Sequence, residues 1–182
     1  MSTSWPQSTR TERLTLRTPQ AADAEDIYRL ADNPRIAHMT GTIPSPYPRE
    51  AADAWIAHVA RQRTQGTALA YAICARGTGT LMGVIGLTQL HDHTANLAYW
   101  LGEPYWGQGL CTEAGRAMVE VAFGPLQRQR LMALHLDHNV PSGQVLQKLG
   151  FRFTHEVQRL HRGAPRNFRC YALSRTDRGI SA

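Results

Sequence analysis

The sequence predicts a mixed α+β fold around one central sheet. Three observations lead to this prediction. Short segments of alternating apolar and polar residues recur along the chain, and segments with apolar residues at helical spacing lie between them. The 182 residues, of which 42% are hydrophobic, are also sufficient for one compact core. We therefore expect a single domain over residues 1–182, with a core at about residues 10–174 and short flexible ends.

The first half of the chain predicts a strand followed by three helical segments. Residue alternation marks the strand, a Thr-Pro pair begins the first helix, and an Asn-Pro pair begins a short second one. Three prolines exclude regular structure from the loop after it, and Gly66 ends a longer helix. In chain order we expect a strand at 13–17, a helix at 21–31, a helical turn from 33, a loop at 39–48 and a helix at 49–65.

The second half predicts six strands and two helices. A Gly-Thr-Gly-Thr sequence joins the first two strands as a hairpin, and glycines end both helices. In chain order we expect strands at 68–76, 81–90 and 95–101, a helix at 109–123, a strand at 131–136, a helix at 142–149 and strands at 151–159 and 167–173. No repeat or low-complexity segment interrupts this order.

The charge of the chain lies mostly near its C-terminus. The net charge is +6, from 20 basic and 14 acidic residues. Residues 152–182 hold seven arginines against Glu156 and Asp177, whereas the rest of the chain is close to neutral. Such a surplus is typical either of contact with phosphate or another polyanion, or of a plain solvated surface. Both interpretations stay open at this point.

Several classes of protein are excluded by composition. No run approaches the roughly 18 apolar residues of a membrane span, and the first residues are polar, so we expect a cytoplasmic protein without a membrane partner. The three cysteines, Cys74, Cys111 and Cys170, form no close pair, which argues against a disulfide framework. His135 and His138 have no further ligand pair, so no metal site is expected.

A glycine-bearing turn joins a predicted strand directly to a predicted helix. Gly107 and Gly109 lie in this turn and would allow the backbone to approach a phosphate closely, and the helix start would present unpaired N–H groups. A Walker A loop would need Gly-Lys-Ser/Thr, and Thr112 occupies the third glycine position of a dinucleotide fingerprint. The turn therefore predicts an anion cradle, with an ordinary turn as the alternative.

A second set of residues follows the strand at 131–136 and completes a resemblance. The sequence resembles the GNAT N-acetyltransferase superfamily, and within it the Rim-type branch of ribosomal-protein-alanine and ribosomal-protein-serine acetyltransferases with their small-molecule relatives. The resemblance extends over about residues 10–173. It rests on the opening TERLTLR, the loop IPSPYP, the cradle Trp106-Gly107-Gln108-Gly109, and Asn139 with Ser142 and the sequence KLGF at 148–151.

This resemblance implies both a fold and a reaction. The fold would be a strongly twisted mixed sheet of six or seven strands with helices on both faces and a splay between the strand ending at Leu101 and the strand at Leu131. The reaction would be acetyl transfer from acetyl-CoA to a primary amine in a ternary complex, without a metal or an acyl-enzyme. The acceptor would be a protein or peptide α-amine or a small amine, and relatives are monomers or homodimers.

The resemblance also implies roles for individual positions. The backbone of Trp100 and Leu101 would pair with the pantetheine arm, Asn139 would hydrogen-bond it, and Ser142 would lie near the sulfur. The pyrophosphate would bind the amides of Gly107, Gln108, Gly109, Leu110, Cys111 and Thr112. Cys111 would also be sensitive to alkylation if the helix N-terminus stabilised its thiolate.

The acid and the base of the reaction are less defined. Many relatives have a tyrosine seven residues after the asparagine, where this chain has Leu146, so Ser142 is the candidate general acid. An ordinary helix N-cap is the alternative interpretation of Ser142. Relatives often carry glutamate at the position of Asn96, which leaves the base unknown. Tyr47, Asn96 and His135 are the candidate contacts to the acceptor.

Three functional hypotheses follow, of which the acetyltransferase is favoured because the cradle and the Asn139 and Ser142 pair are both present. Asn96 and Leu146 allow a second, an acyl-CoA-binding regulatory module that has lost catalysis. The arginine-rich end alone suggests a third, a nucleic-acid-binding protein, which is the least favoured.

Overall fold

A computed structural model describes residues 5–179 of the chain. Its centre is an eight-stranded sheet in the order β1-β2-β3-β4-β5-β6-β8-β7. The parallel pair is β5 and β6, and every other neighbouring pair in the described sheet is antiparallel. The strands are β1 (Ser8–Arg10), β2 (Leu14–Arg17), β3 (Leu69–Ala75), β4 (Leu81–His91), β5 (Thr94–Leu101), β6 (Arg130–Leu136), β7 (Arg152–His161) and β8 (Ala164–Ser174).

The predicted fold class is confirmed, and the sheet has eight strands where six or seven were expected. The additional strand is β1, a three-residue segment that pairs antiparallel with β2 at the edge of the sheet. Its residues are mostly exposed, so it carries no buried apolar pattern by which the sequence would predict a strand. The seven strands that the sequence predicts are all present.

Helices cover both faces of the sheet. On one face, α1, α2 and α3 bury a cluster that includes Ile27, Ile36 and Ile56. On the other face, α4 and α5 pack on a larger cluster that includes Met118 and Leu146. The helices are α1 (Ala24–Ala31), α2 (Pro34–Met39), α3 (Arg49–Gln65), α4 (Leu110–Phe123) and α5 (Val140–Lys148), with short 3-10 turns at Ala21–Asp23, Glu103–Tyr105 and Thr176–Arg178.

The two central parallel strands separate along their length. β5 pairs with β6 only where Thr94, Ala95 and Asn96 lie beside residues 130–132. Beyond Asn96, β5 continues beside β4 alone, and β6 continues beside β8 alone. The expected splay is therefore present, and it opens toward the start of α4 on one side and of α5 on the other.

Two further expectations concern the ends of the chain and membranes. The predicted flexible ends are the residues outside about 10–174, of which 1–4 and 180–182 lie outside the described residues. The described parts include the start of β1 and the 3-10 turn at Thr176–Arg178. Among residues 5–179, no helix has the length and apolar character needed to cross a membrane.

Candidate active site

The glycine-bearing turn has the backbone conformation that the anion cradle requires. Gly107 and Gly109 both have φ of 74°, in the left-handed region that favours glycine. Gly109 is the N-cap of α4, and its carbonyl accepts the Glu113 N–H at 3.0 Å. The amides of Leu110, Cys111 and Thr112 precede the first intrahelical bond, so they carry the positive end of the helix without a helical partner. This end of α4 is suited to an anion.

An arginine that the sequence did not mark lies over the same turn. Arg13, just before β2, donates from Nη1 to the Gln108 carbonyl at 3.0 Å and from Nε to Glu113 at 2.6 Å. Its remaining nitrogen, Nη2, is 3.7 Å from the point where a Cβ on Gly109 would lie. The guanidinium therefore brings a positive charge to the cradle, close to Gly109.

Glu113 holds this arginine in place. The Glu113 carboxylate also accepts the Thr11 hydroxyl at 2.5 Å and the Arg13 N–H at 2.8 Å. Burial raises the pKa of the Glu113 carboxyl, but these hydrogen bonds outweigh burial and keep the pKa below its ordinary value. Glu113 is therefore ionised near neutral pH, and the cradle, α4 and the start of β2 form one rigid unit.

The open side of β5 carries different main-chain groups from those expected. Gly102 N–H donates to Met82 O on the β4 side at 2.8 Å, and hydrogen-bonded pairs alternate along an antiparallel ladder. Trp100 therefore pairs its backbone with β4, and the backbones of Tyr99 and Leu101 face the splay. The prediction for Trp100 is corrected by one residue, to Tyr99. The Leu101 carbonyl accepts the Trp106 indole N–H at 2.8 Å.

The start of α5 corrects the N-cap interpretation of Ser142. The N-cap is Asn139, whose side-chain oxygen accepts the Ser142 N–H at 3.3 Å. Ser142 is the third residue of the helix, so its hydroxyl is not needed to cap it. The Asn139 side-chain nitrogen donates to Met39 O at 3.0 Å and so ties α5 to the end of α2.

The Ser142 hydroxyl has a partner from the opposite side of the splay. Tyr99 extends from β5 and places its hydroxyl 3.0 Å from Ser142 Oγ and 3.1 Å from the Ser142 carbonyl, to which it donates. Burial raises the pKa of the Tyr99 phenol, and the nearby Cys111 contributes to the same shift. The phenol therefore stays protonated and available as a hydrogen-bond donor.

Burial opposes the reactivity expected of Cys111 at a helix N-terminus. The residue is half-buried, and burial raises the pKa of its thiol to about 12. The thiolate is the species that reacts with alkylating agents, so this shift acts against alkylation. The expected alkylation sensitivity stays a prediction.

Two of the three predicted acceptor contacts are buried. Tyr47 is only 8% exposed and packs into the α1–α3 cluster, so its side chain belongs to the core rather than to a binding loop. His135 is only 5% exposed and lies beneath α5, where its Nε2 would come within 2.8 Å of a Cβ on Gly143. Its Nδ1 donates to the Leu136 carbonyl at 2.7 Å, and burial lowers its pKa. Neither side chain faces an open acceptor groove.

Asn96 does lie on an open face. It is the last β5 residue beside β6, at the vertex of the splay, and its amide donates to Gln89 at 2.5 Å. The neighbouring β6 side chains on the same face, Met132 and Leu134, are 40% and 38% exposed. The tip of the β7–β8 hairpin borders this face, since Arg162 hydrogen-bonds the carbonyls of Ala37 and Ile43. This face of the splay is therefore partly open.

Sequence reasoning missed Arg13 and Tyr99 for different reasons. Arg13 is adjacent to β2, about a hundred residues before the cradle, and no local pattern links the two segments. Tyr99 could have been found, because strand alternation places it on the same face as Leu97 and Leu101, directly before the cradle turn.

Comparison with known proteins decides the family. A family model described as an acetyltransferase (GNAT) domain matches residues 13–152, which is most of the chain. The chain belongs to the GNAT acetyltransferase family. It is therefore an acyltransferase. The uncharacterized N-acetyltransferase p20 of Bacillus licheniformis is 27% identical to this GNAT acetyltransferase over 144 residues, which are 78% of this chain and 80% of the relative.

Solved structures share the GNAT fold of this chain. RimJ of Mycobacterium smegmatis, solved in complex with CoA-disulfide, has a TM-score of 0.87 at 23% identity over 97% of this chain and 91% of its own. The microcin C7 self-immunity acetyltransferase MccE, solved with acetyl-CoA and AMP, has a TM-score of 0.82 at 19% identity over 90% of this chain and 93% of its own. The whole architecture of this chain is thus the one that these solved structures share.

Proposed function

We propose that this GNAT acetyltransferase transfers an acetyl group from acetyl-CoA to a primary amine by direct attack in a ternary complex. The observation that carries the proposal is the presence of two main-chain surfaces at this end of the sheet: the side of β5 that has no partner strand beyond Asn96, and the N–H groups of the first turn of α4. The first part suits the amides of a pantetheine arm, and the second suits a diphosphate. The acceptor is a protein or peptide α-amine or a small amine.

The residues around the splay give the chemistry of the transfer. The amine nitrogen forms a bond to the thioester carbonyl carbon, the carbon–sulfur bond breaks, and its electron pair goes to sulfur. Ser142 donates a hydrogen bond to that sulfur, and the positive end of α5 stabilises the developing charge. The proton lost by the nitrogen leaves through solvent, and a proton ends on the CoA thiol. Proximity in the splay supplies much of the rate.

Release of free thiol from acetyl-CoA, followed with a thiol-reactive dye, tests this function. The acceptor panel contains peptides with free N-termini, diamines, amino acids and aminoglycosides, and an N-acetylated peptide is the matched blank. We expect acceptor-dependent release for at least one class, and no acetyl mass on the enzyme after incubation with acetyl-CoA alone. Binding of acetyl-CoA without turnover for any class would instead support the regulatory module. An acetylated enzyme would contradict direct attack.

Arg13→Gln tests the assignment of the cradle. Loss of the guanidinium over Gly109 is expected to raise the KM for acetyl-CoA about 5-fold with little change in kcat, because the charge contacts the donor and not the reacting carbon. The control is Arg76→Gln, since the Arg76 guanidinium donates to the Thr11 carbonyl, at 3.1 Å, and not to a carbonyl of the cradle turn. The KM of the wild-type enzyme should rise more steeply with salt than that of Arg13→Gln. Equal KM values for Arg13→Gln and the wild type would contradict the assignment.

A further inference from the structure

One side-chain contact crosses the splay at the place where the thioester is proposed to lie. Tyr99 belongs to β5 and Ser142 to α5, 43 residues apart in the chain, and their hydroxyl oxygens are 3.0 Å apart. Tyr99 also donates to the main-chain carbonyl of Ser142 at 3.1 Å. The hydroxyl oxygen and the carbonyl oxygen of Ser142 are thus both hydrogen-bonded to the Tyr99 phenol.

The surroundings of the Tyr99 side chain keep its phenol protonated, so that it remains a hydrogen-bond donor. Tyr99 packs against the α4–α5 cluster, where Cys111 and Tyr171 also influence the pKa of its phenol. Burial and these neighbours raise its pKa, so transfer of its proton to another group is costly near neutral pH. The position that carries tyrosine in many relatives holds Leu146, which is 1% exposed in the core. The phenol beside the splay is therefore that of Tyr99, which comes from β5 and not from α5.

We infer that Tyr99 is a positioning residue for acetyl transfer, which holds the Ser142 hydroxyl so that the Ser142 proton is directed at the departing sulfur. The inference rests on the proposed function, because it acts through the role assigned there to Ser142. The Tyr99 proton turns from the Ser142 carbonyl to Ser142 Oγ as the carbon–sulfur bond breaks. Ser142 then gives its own proton to the sulfur, and its hydroxyl is reprotonated from solvent, into which the amine nitrogen has released a proton. Tyr99 loses no proton over the cycle.

A double-mutant cycle separates this role from a general structural one. The enzymes compared are the wild type, Tyr99→Phe, Ser142→Ala and the double variant, with the acceptor that gives the highest turnover. Tyr99→Phe is expected to lower kcat about 10-fold with the KM for acetyl-CoA changed less than about two-fold. The double variant is expected to have the same kcat as Ser142→Ala, because Tyr99 acts through the hydroxyl that is already absent.

Tyr71→Phe is the matched control for loss of a buried phenol. Tyr71 is fully buried in β3 and hydrogen-bonds the Pro6 carbonyl, away from the splay. We expect this variant to lose thermal stability, with the kcat of the wild type. A thermal melt of Tyr99→Phe at the assay concentration shows what fraction of the enzyme is folded, and kcat is expressed per folded enzyme.

The outcomes separate the inference from the function on which it rests. A wild-type enzyme without acceptor-dependent thiol release overturns the proposed function and this inference with it. An active wild type with an unchanged kcat for Tyr99→Phe overturns the inference alone. So does a double variant whose kcat falls below that of Ser142→Ala by the same factor that Tyr99→Phe shows by itself, because additive losses mean that the two side chains act independently.

Discussion

Replacement of Ser142 with alanine is expected to lower kcat about 100-fold, with the KM for acetyl-CoA nearly unchanged. The hydroxyl is proposed to contact the sulfur only as charge develops on it, so its loss affects the transition state more than the bound ground state. Single-turnover acetylation with saturating acetyl-CoA, measured by rapid quench, reports the chemical step directly. An unchanged single-turnover rate would exclude Ser142 as the acid.

The position of Ser142 in its helix makes this variant a clean test. Asn139 caps α5, and Ser142 is the third helical residue, so alanine there keeps the cap and suits the helix. Asn139→Ala would remove the cap and the contact to Met39 together, so its effect could not be assigned to one cause. Ser174→Ala, at the end of β8, is the matched control and is expected to keep the wild-type rate.

The arrangement of strands and helices could be predicted because local patterns agreed with tertiary packing over most of the chain. Alternation located β2 to β6, and Gly66 and Gly150 ended the helices before them as expected. The edge strand β1 was missed because an exposed edge needs only backbone pairing, which leaves no hydrophobic pattern. The splay was available only through the family resemblance, since strand register is a property of two segments that are distant in sequence.

The sequence carries a clearer signal for the parts of the candidate site that are made of main chain than for those that are made of side chains. Gly107 and Gly109 identified the cradle because left-handed backbone demands a particular residue type. Tyr47 was placed on the acceptor side because it follows no period. A proline-rich loop nevertheless packs its large side chains into the nearest core, as Ile43 and Tyr47 do here.

The burial of His135 could not be predicted from the sequence, for another reason. Alternation placed His135 correctly on one face of β6, but the sequence did not show which face α5 covers. Gly143 allows α5 to pack directly on the imidazole ring of His135, because a Cβ at this position would lie only 2.8 Å from Nε2. Met132 and Leu134, on the opposite face, are the exposed residues that an acceptor would meet.

The C-terminal arginines divide into different roles. Arg162 is engaged by the carbonyls of Ala37 and Ile43, so it fastens the β7–β8 hairpin to α2 and the following loop. Arg159 and Arg166 lie opposite each other on β7 and β8, and both are exposed. Arg152 and Arg169 form ion pairs with Asp177 and Glu156. Part of the charge surplus is thus engaged within the protein, whereas Arg159 and Arg166, near the tip of the β7–β8 hairpin, border the proposed acceptor face.

Replacement of Asp23 with asparagine is expected to lower the free energy of unfolding by about 3 kcal/mol at neutral pH. Asp23 accepts two hydrogen bonds from the Arg17 guanidinium, at 2.6 and 2.8 Å, and one from the Gln20 N–H at 2.7 Å. Its side chain is only 7% exposed, so asparagine would leave the guanidinium charge half-buried without its counter-charge. Urea unfolding followed by circular dichroism measures the loss. The control is Asp26→Asn, which removes an exposed pair with Arg29 and should cost less than about 0.5 kcal/mol.

The ion pair of Asp23 with Arg17 also determines the direction in which the free energy of unfolding changes at acidic pH. Burial raises the pKa of the Asp23 carboxyl, but the hydrogen bonds from Arg17 and Gln20 outweigh burial and leave the pKa below its ordinary value. A carboxyl with a lowered folded-state pKa contributes stability that is complete above its unfolded pKa and disappears as pH falls through the folded value. The difference in unfolding free energy between the wild type and Asp23→Asn should therefore be constant near neutral pH and shrink below about pH 4. A difference that stays constant into that acidic range would mean that the asparagine acts through packing and not through the lost charge.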